Sequence, residues 1–251
     1  MNSLGANEDP VSHQSPLAVF LNELASTSDP ATVGNAICRG LLAQWSPSQA
    51  VVRVHRPEIN CLDMVAHYGI SQSWAEKFSV IPLTANLPAC ESFHRGVEIH
   101  LSPQEARDRF PMASMVGGNP NTASSGLLSV VPLRSSGMPI GTVVIMFSEK
   151  VSLDWQLRSA LNDLTAATTL WARCAWLVTD PNRPQAEVPQ LITDRQNQIL
   201  ALVSDGRTNA NIATELGFST GTVKAEVAAM LRLFGASDRN DLISKATQSW
   251  M

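Results

Sequence analysis

The residues from Lys224 to Arg232 have the chemistry of a phosphate-binding surface. Lys224, Ala228 and Arg232 recur at intervals of four, so a helix would place them in one outward row with Ala225 beside it. Lysine and arginine neutralise phosphate oxygens, whereas an alanine offers a base edge only an apolar contact with a thymine methyl. Hydroxyl and amide side chains at nearby predicted helix starts can also meet phosphates. The predicted nucleic-acid contacts are Thr208, Asn209, Thr220, Thr222, Lys224, Ala225, Ala228 and Arg232.

Four short helices are predicted between Leu191 and Ile243, and they would position this surface. Thr193 with Gln196 three residues later is a capping box for the first helix. A two-helix unit with a short glycine turn, here at Gly217, is the shape that places a helix in a DNA major groove. The third helix carries one apolar stripe of Val223, Val227, Met230, Leu231 and Phe234. The predicted N-caps, in chain order, are Thr193, Thr208, Ser219 or Thr220, and Ser237.

The same segment resembles the LuxR/GerE-type DNA-binding domain of bacterial transcription factors. The resemblance covers about a quarter of the chain and is specific, because many spaced positions agree at once. It implies a DNA-binding role for Lys224 and for the residues at Ala225 and Ala228. The matching motifs are Thr193-x-Arg195 with Ile199-Leu200, Asn209 with Ile212-Ala213 and Leu216, Ser219-Thr220-Gly221-Thr222-Val223-Lys224 with Val227, and Leu233-Phe234-Gly235-Ala236-Ser237-Asp238-Arg239.

Three positions depart from the usual pattern of that family. The family often has glutamates where Gln196 and Gln198 stand, and a histidine where Glu226 stands. Glu226 would bring a negative charge near the phosphates unless it turns away or pairs with a base such as Arg232. The alternative is a protein-binding adaptor whose four-helix domain keeps the fold but is silent towards DNA.

The charge balance gives the chain no overall positive electrostatic potential. Its 251 residues are enough for two domains, and its net charge is −4. From Leu191 onward there are six basic and six acidic residues. Such a neutral domain should bind non-specific DNA weakly as a monomer, because phosphate neutralisation supplies most of that affinity. Dimerisation over two half-sites would offset this weakness.

The cysteines and the apolar runs predict a cytoplasmic protein with reduced thiols. Cys38, Cys61, Cys90 and Cys174 are widely spaced and form no CxxC pair. No signal peptide is visible, and the longest apolar run, Val143 to Phe147, is far too short to span a membrane. We therefore expect no membrane partner.

A proline-rich segment divides the chain into two predicted domains. Residues 179–190 hold three prolines and little apolar content, which is typical of an extended spacer. Residues 15–178 form the first predicted domain and residues 191–251 the second. The first domain has the order helix, hairpin, variable helical middle, hairpin, helix, and in this it resembles GAF domains, which sense small molecules with an antiparallel sheet and flanking helices. PAS-like and acyl-homoserine-lactone-binding domains are alternatives. The predicted fold class is α+β with an all-α second domain.

The last helix of the first domain has the spacing of helix pairing. Its apolar residues alternate by four and three, a repeat of 3.5 residues that favours a dimer through this helix. The alternative is that the same residues pack against the sheet of their own domain. Leu161, Leu170 and Leu177 form a second apolar set, so one side of the helix could serve each purpose. The residues of this seam are Leu153, Leu157, Ala160, Leu164, Ala167, Trp171, Cys174 and Val178.

Other candidate sites in the first domain are weaker. Cys90 and His94 lie four apart on a predicted helix with His100 close behind, a spacing that could serve a metal or haem. A buried cysteine beside a surface histidine is the favoured interpretation, so we expect no metal and no cofactor. The candidate ligand-binding residues are Trp74, Phe78, Ser92 and His94, which are equally at home in an ordinary core.

These observations predict a cytoplasmic bacterial transcription regulator and not an enzyme. No serine–histidine–acid set, phosphate loop or pair of catalytic carboxylates is present to support catalysis. The predicted partners are duplex promoter DNA, a second copy of the chain, an unknown small molecule and RNA polymerase. Besides the adaptor, the alternative is a thiol-dependent GAF-type enzyme that uses Cys61 or Cys90.

Overall fold

The structure is a computed structural model that describes residues 15–27, 29–110, 126–175 and 192–250. Residues up to 175 form an α+β domain around one six-stranded sheet, and residues from 192 form a group of four helices. This architecture confirms the predicted fold class. The predicted spacer and the boundaries on either side of it lie outside the described residues, so the domain limits stay predictions.

The first domain begins and ends with helices that cover the sheet. Its helices are α1 (Pro16–Ser26), α2 (Pro30–Asn35), α3 (Gln72–Lys77), α4 (Pro88–Arg95), α5 (Pro103–Arg109) and α6 (Trp155–Ala175). Its strands are β1 (Pro47–Arg56), β2 (Cys61–Tyr68), β3 (Val80–Pro82), β4 (Ile99–Leu101), β5 (Leu127–Ser135) and β6 (Met138–Phe147). A π-helical turn, Ala36–Leu41, and a 3₁₀ turn, Ala43–Trp45, lead from α2 into β1.

The sheet has the order β3-β2-β1-β6-β5-β4, with every neighbouring pair antiparallel. The two predicted hairpins, β1–β2 and β5–β6, therefore lie side by side through the central pairing of β1 with β6. In that pairing Val52 lies opposite Val143 and Arg53 lies opposite Thr142. Because successive side chains of a strand alternate between faces, these two pairs point to opposite sides of the sheet.

Each face of the sheet has its own core. One face, with Val52 and Val143, packs under α1, α2 and α6. The other face is covered by the segment from α3 to α5, where Phe78, Cys90 and Phe93 are buried. The second core is continuous with the buried side chains of the C-terminal helices. The two domains therefore share an apolar contact on this side of the sheet.

The predicted dimer seam of α6 is wrong from Leu157 to Trp171, because these side chains are core residues of their own domain, whereas Leu153 is half-buried and Cys174 is exposed. Leu157 and Leu164 are 0% exposed, and Ala160, Ala167 and Trp171 are at most 9% exposed. They pack in the same cluster as α1 and the sheet. The helix begins at Trp155, two residues after the first residue of the predicted seam, and Val178 lies outside the described residues. In the described part of the chain, no helix is both long and apolar enough to cross a membrane.

The second domain consists of α7 (Asp194–Ser204), α8 (Asn209–Leu216), α9 (Thr220–Leu233) and α10 (Arg239–Trp250). The N-caps of the first three are Thr193, Thr208 and Ser219, as predicted. The fourth prediction, Ser237, is wrong: Asp238 accepts hydrogen bonds from the Asn240 and Asp241 amides, 2.8 and 2.9 Å long. Ser237 instead donates to the Asp241 carboxylate one turn later.

Candidate nucleic-acid interface

Helix α9 separates a buried stripe from an exposed polar row. Val223 and Met230 are fully buried and Val227 is 8% exposed, so these three fix the helix against α7 and α8. Lys224, Ala225 and Arg232 are exposed, and Thr222 and Ala228 are half-buried beside them. This is the orientation that the sequence predicts. The row can present two cations and small side chains to a nucleic acid, and contact with DNA stays a prediction.

The start of α9 is held by its cap. The Ser219 hydroxyl accepts a hydrogen bond from the Thr222 amide at 3.0 Å and lies 2.8 Å from the Thr222 hydroxyl. Thr220 is exposed on the first turn. Gly217, before this cap, has a φ of 71°, a left-handed conformation that strains any residue with a side chain. The glycine turn therefore sets the angle at which α9 leaves α8.

Thr208 and Asn209 lie at the start of α8, where Arg239 positions the asparagine. The Thr208 hydroxyl accepts a hydrogen bond from the Asn211 amide at 3.3 Å. Arg239 donates to the Asn209 side-chain oxygen at 3.1 Å and, with its other terminal nitrogen, to the Arg207 carbonyl. The Asn209 NH₂ group keeps its own donor hydrogens for a phosphate. Sequence reasoning did not assign Arg239 this role, although Arg239 closes the last matching motif.

Two of the departures from the family pattern form one interaction. Gln196 donates from its amide nitrogen to the Glu226 carboxylate at 2.9 Å, and its amide oxygen accepts from the Thr193 backbone at 3.1 Å. Arg195 adds an ion pair with Glu226 at 3.6 Å. A glutamate at position 196 could accept from Thr193 but could not donate to Glu226. The negative charge of Glu226 is therefore directed towards α7 and away from Lys224 and Arg232.

The last helix is tied to the end of α9 by a small ionic network. The Asp241 carboxylate accepts from the Ser237 backbone and lies 3.1 Å from the Lys245 ammonium, which itself donates to the Gly235 carbonyl at 2.6 Å. The pKa of Asp241 lies below its usual range, first because of the Ser237 backbone hydrogen bond and then because of Lys245. This network stabilises the turn after α9 and holds the Lys245 ammonium between Asp241 and the Gly235 carbonyl.

The four candidate ligand-binding residues of the first domain lie in different environments. Phe78 is buried, Trp74 packs on it with ring centroids 5.1 Å apart, and both belong to the second core. Ser92 is fully buried and its hydroxyl donates to the Val97 carbonyl at 2.8 Å. His94 is exposed, with one ring nitrogen 3.0 Å from the Leu83 carbonyl. The structure does not bring the four into one cavity, and their ligand role stays a prediction.

Polar groups that the sequence analysis missed lie on the sheet under α4. Arg53 is 2% exposed and donates to the Leu62 and Phe78 carbonyls at 3.4 and 2.9 Å. Its cross-strand neighbour Thr142 is 0% exposed, and the Thr142 hydroxyl has no hydrogen-bond partner among the described residues. The same holds for the buried Nε2 atom of His55. The alternation Val52-Arg53-Val54 is also the ordinary pattern of a strand with one solvent-facing side, so it did not indicate that Arg53 is buried.

The buried cysteines are poorly suited to thiol chemistry. Burial raises the pKa of the Cys38 thiol to about 12. Burial, assisted by Asp63 and opposed by Arg56, also raises the pKa of Cys61. A thiol reacts as its thiolate, so both shifts lower reactivity. Cys90 is buried and its thiol lies 3.5 Å from the Pro82 carbonyl. Among the described residues no group of three His, Cys, Asp or Glu side chains could hold a metal ion.

Comparison with known protein families identifies the C-terminal domain. Residues 190–246 match the family described as bacterial regulatory proteins, luxR family. This match covers α7, α8, α9 and α10 up to residue 246, with the Gly217 turn and the exposed row of α9. Among curated proteins, none matches this chain significantly in sequence.

Comparison with solved structures shows the fold of the first domain. The GAF domain of a phosphoenolpyruvate-protein phosphotransferase from Coxiella burnetii is 12% identical, with a TM-score of 0.52 over 65% of this chain and 95% of that one. The corresponding Acinetobacter GAF domain is 13% identical, with a TM-score of 0.51 over 66% and 96%. The A. aeolicus nlh2 GAF domain is 13% identical, with a TM-score of 0.50 over 63% and 94%. The first domain therefore has a GAF-like fold, in front of a LuxR-family helix-turn-helix domain.

Proposed function

We propose that this protein is a transcription regulator that binds promoter DNA through its LuxR-family domain. The observation that carries the proposal is the exposed row of α9 on a helix-turn-helix scaffold of that family. Lys224 and Arg232 supply the charges for phosphates, and the starts of α8 and α9 supply hydroxyls and backbone N–H groups. The pairing of Glu226 with Gln196 and Arg195 removes the main electrostatic objection.

The GAF-like domain supplies, in this proposal, either the signal or the contact between two chains. The buried Thr142 hydroxyl and the His55 Nε2 atom lack hydrogen-bond partners in the part of the chain that the structure describes, and buried polar groups are normally satisfied by protein, water or ligand. These two atoms support a small polar ligand between the sheet and α4. Trp74, Phe78, Ser92 and His94 remain the proposed ligand contacts. Trp74 and Phe78 belong to the second core, whereas His94 is exposed on the outer side of α4.

The proposed homodimer uses the outer face of α6, since the inner seam is already buried. Trp155 is 76% exposed and Leu170 is 59% exposed, although both are large and apolar. They lie on one side of the helix, about 22 Å apart along its axis. Ser159, Asn162 and Ala166 lie between them on the same side and are exposed. A second copy of this face is the occupant that the helix-turn-helix function requires.

An enzyme is the second candidate that we considered, and the thiols argue against it. Its nucleophile would be Cys61 or Cys90, both of which are buried. The raised pKa of Cys61 opposes formation of the thiolate. A regulator needs no such group. RNA polymerase remains a proposed partner of the DNA-bound regulator.

Selection of duplexes from genomic fragments tests the proposed function. The purified full chain is mixed with labelled fragments, and the retained DNA is sequenced. We expect enrichment of a small set of fragments that share a motif with two-fold symmetry. Retention without any enriched motif, or no retention at low salt, would show that the domain does not act as a promoter-binding module.

A further inference from the structure

The two domains are joined by a short strand-like contact. Ala85 forms an antiparallel bridge with Thr193, and the Asn86 amide donates to the Ile192 carbonyl at 3.0 Å. Ala85, Asn86 and Ile192 are 4%, 6% and 1% exposed. A buried backbone amide needs a partner, and Asn86 finds it in the other domain. This contact is therefore built into both domains.

An apolar cluster extends across the same contact. Leu83, Leu87 and Cys90 of the first domain belong to one buried cluster with Ile192 and Leu200 of the second. Beside the cluster lies a cleft of about 780 Å³. Charged and polar side chains from both domains line it, chiefly Glu91, His94 and Arg95 on one side and Arg195, Gln196 and Glu226 on the other.

The contact leads directly to the recognition helix. Thr193, which pairs with Ala85, caps α7 and shares a capping box with Gln196. Gln196 in turn donates to Glu226 on α9. Three consecutive interactions thus connect the Leu83–Leu87 segment of the first domain to the helix that carries Lys224.

The other end of this connection lies under α4. The inner side of α4 touches the sheet, where the Phe93 and His55 rings are 4.8 Å apart. The outer side of α4 presents Glu91 and His94 to the cleft. Any group that enters between the sheet and α4 must therefore move a helix that faces the DNA-binding domain across the cleft.

We propose that the Leu83–Leu87 segment and the outer side of α4 form a docking surface for the DNA-binding domain of the same chain. Docking fixes the direction of α9 relative to the first domain and transmits movement of α4 to it. It leaves Lys224, Ala225 and Arg232 exposed, so it orients the DNA-binding surface without covering it. The part of the inference that concerns DNA rests on the proposed function; the docking itself does not.

Hydrogen exchange of the unmodified full chain tests the docking without any substitution. The partner of the Asn86 amide, the Ile192 carbonyl, lies in the other domain. We expect the Asn86 amide to exchange about 100-fold more slowly than the exposed Thr84 amide, as it would in a stable structural unit. Equal exchange at the two sites would overturn the docking, whether or not the protein binds DNA.

The variant Ala85→Asp tests what docking does, because it puts a carboxylate into the buried bridge. Ala43→Asp is the matched control, since Ala43 is exposed and lies far along the chain from the contact. We expect Ala85→Asp to speed Asn86 exchange, to leave affinity for a duplex with one half-site unchanged, and to lower affinity for the selected two-half-site duplex by about tenfold or more. The last effect follows because a free domain has a lower effective concentration at the second half-site.

Two outcomes of this experiment would overturn the transmission to α9. One is fast Asn86 exchange in Ala85→Asp with unchanged affinity for the two-half-site duplex. The other is an equal loss of affinity for both duplexes, which would indicate damage to the helix-turn-helix itself. If the wild-type chain selects no motif, the proposed function fails, and the exchange of Asn86 still decides the docking.

Discussion

Lys224 is the residue on which the assigned orientation of α9 depends. It follows the buried Val223 directly and is exposed, so its removal should spare the core. We expect Lys224→Ala to weaken binding to the selected duplex by about 1–3 kcal/mol, the usual cost of a lost charged contact with DNA. Fluorescence anisotropy measures the affinity and thermal unfolding checks the fold. Lys77→Ala, in the first domain, is the control. Affinity equal to wild type would reject the orientation.

The pair of Gln196 and Glu226 can be tested by exchanging its members. Gln196→Glu places two carboxylates together and loses a hydrogen bond to a charged group, about 1.5–3 kcal/mol. A new carboxylate in the first turn of α7 regains about 0.3–1 kcal/mol from the helix dipole. The loss is larger, so we expect a net destabilisation of about 1 kcal/mol.

Adding Glu226→Gln to this variant should restore most of the lost stability, because the amide and the carboxylate have only changed places. Urea unfolding of the two single variants and the double variant gives the coupling between the positions. Additive effects of the two substitutions would mean that the 2.9 Å contact contributes nothing to stability.

His55 makes the stability of the first domain sensitive to pH. Its pKa lies below the ordinary value mainly because burial disfavours the imidazolium; His94 reinforces this and Glu58 opposes it. Burial also lowers the pKa of His67. In the unfolded chain these histidines become protonated near pH 6.5, whereas in the folded chain they become protonated only at lower pH. The folded state therefore has its full stability above about pH 6.5 and loses it as pH falls through the folded pKa values.

We expect the midpoint of urea unfolding to fall between pH 7.5 and pH 5.5, and His55→Gln to reduce that fall. His67→Gln should remove a separate part of it. If the urea midpoint of the His55→Gln variant falls as far as that of the wild type, protonation of His55 is not the cause of the acid destabilisation.

At the scale of elements, the sequence predicted correctly those features that depend on residues close together in the chain. Thr193, Thr208 and Ser219 cap the helices for which the sequence predicted them, because a cap and its amide lie within three residues. The prediction that Ser237 is a cap was wrong because the next residue, Asp238, accepts hydrogen bonds from two backbone amides in its place. Both hairpins were predictable for the same local reason. The pairing of β1 with β6 was not, since it joins residues about 90 positions apart.

Helix α6 shows where a periodic pattern stops being informative. A repeat of 3.5 residues identifies one apolar side but does not say whether a sheet or another chain covers it. Here the sheet covers Leu157 and Leu164. The sequence also has a second apolar set on this helix, Leu161, Leu170 and Leu177, but the pattern does not say which of its members are buried. The folded domain buries Leu161 and leaves Leu170 exposed together with Trp155, and this exposure indicates a contact there.

Charges on the outer side of α6 should therefore prevent dimerisation. In the double variant Trp155→Lys with Leu170→Lys, two exposed apolar anchors become like charges that would face each other in a symmetric pair. We expect sedimentation analysis to show monomers where the wild type shows dimers. Gln156→Lys, which adds the same charge at an exposed neighbour of Trp155, should leave the dimer intact. A dimeric double variant would assign the interface elsewhere.

At the scale of the whole molecule, the composition predicted two domains but could not predict their contact. The bridge between Ala85 and Thr193 joins residues more than 100 positions apart, and neither segment has an unusual sequence. The same limit applies to Arg53 and Thr142, which meet only because β1 pairs with β6. Family resemblance supplied the proposed DNA-binding surface because its motifs are local. The proposed docking depends on contacts between distant segments, and those needed the folded chain.

The charge of the whole DNA-binding domain sets how its affinity responds to salt. Its six basic and six acidic residues cancel, and Arg195, Arg239 and Lys245 are engaged with neighbouring groups. Of the remaining three, Arg207 lies between α7 and α8, outside the exposed row of α9. Lys224 and Arg232, which lie on that row, are the proposed phosphate contacts, two for each domain and four for a dimer. Each neutralised phosphate contributes about −0.9 to the slope of log affinity against log salt.

We expect a slope of about −4 for the wild-type dimer, and a slope shallower by about 2 for Lys224→Ala, which removes one contact from each chain. Anisotropy titrations between 50 and 200 mM salt measure both slopes, a range over which the wild type should lose about 200-fold in affinity. A flat dependence would mean that α9 is not held by phosphate contacts, and a wild-type slope near −2 would mean that a single domain engages the duplex.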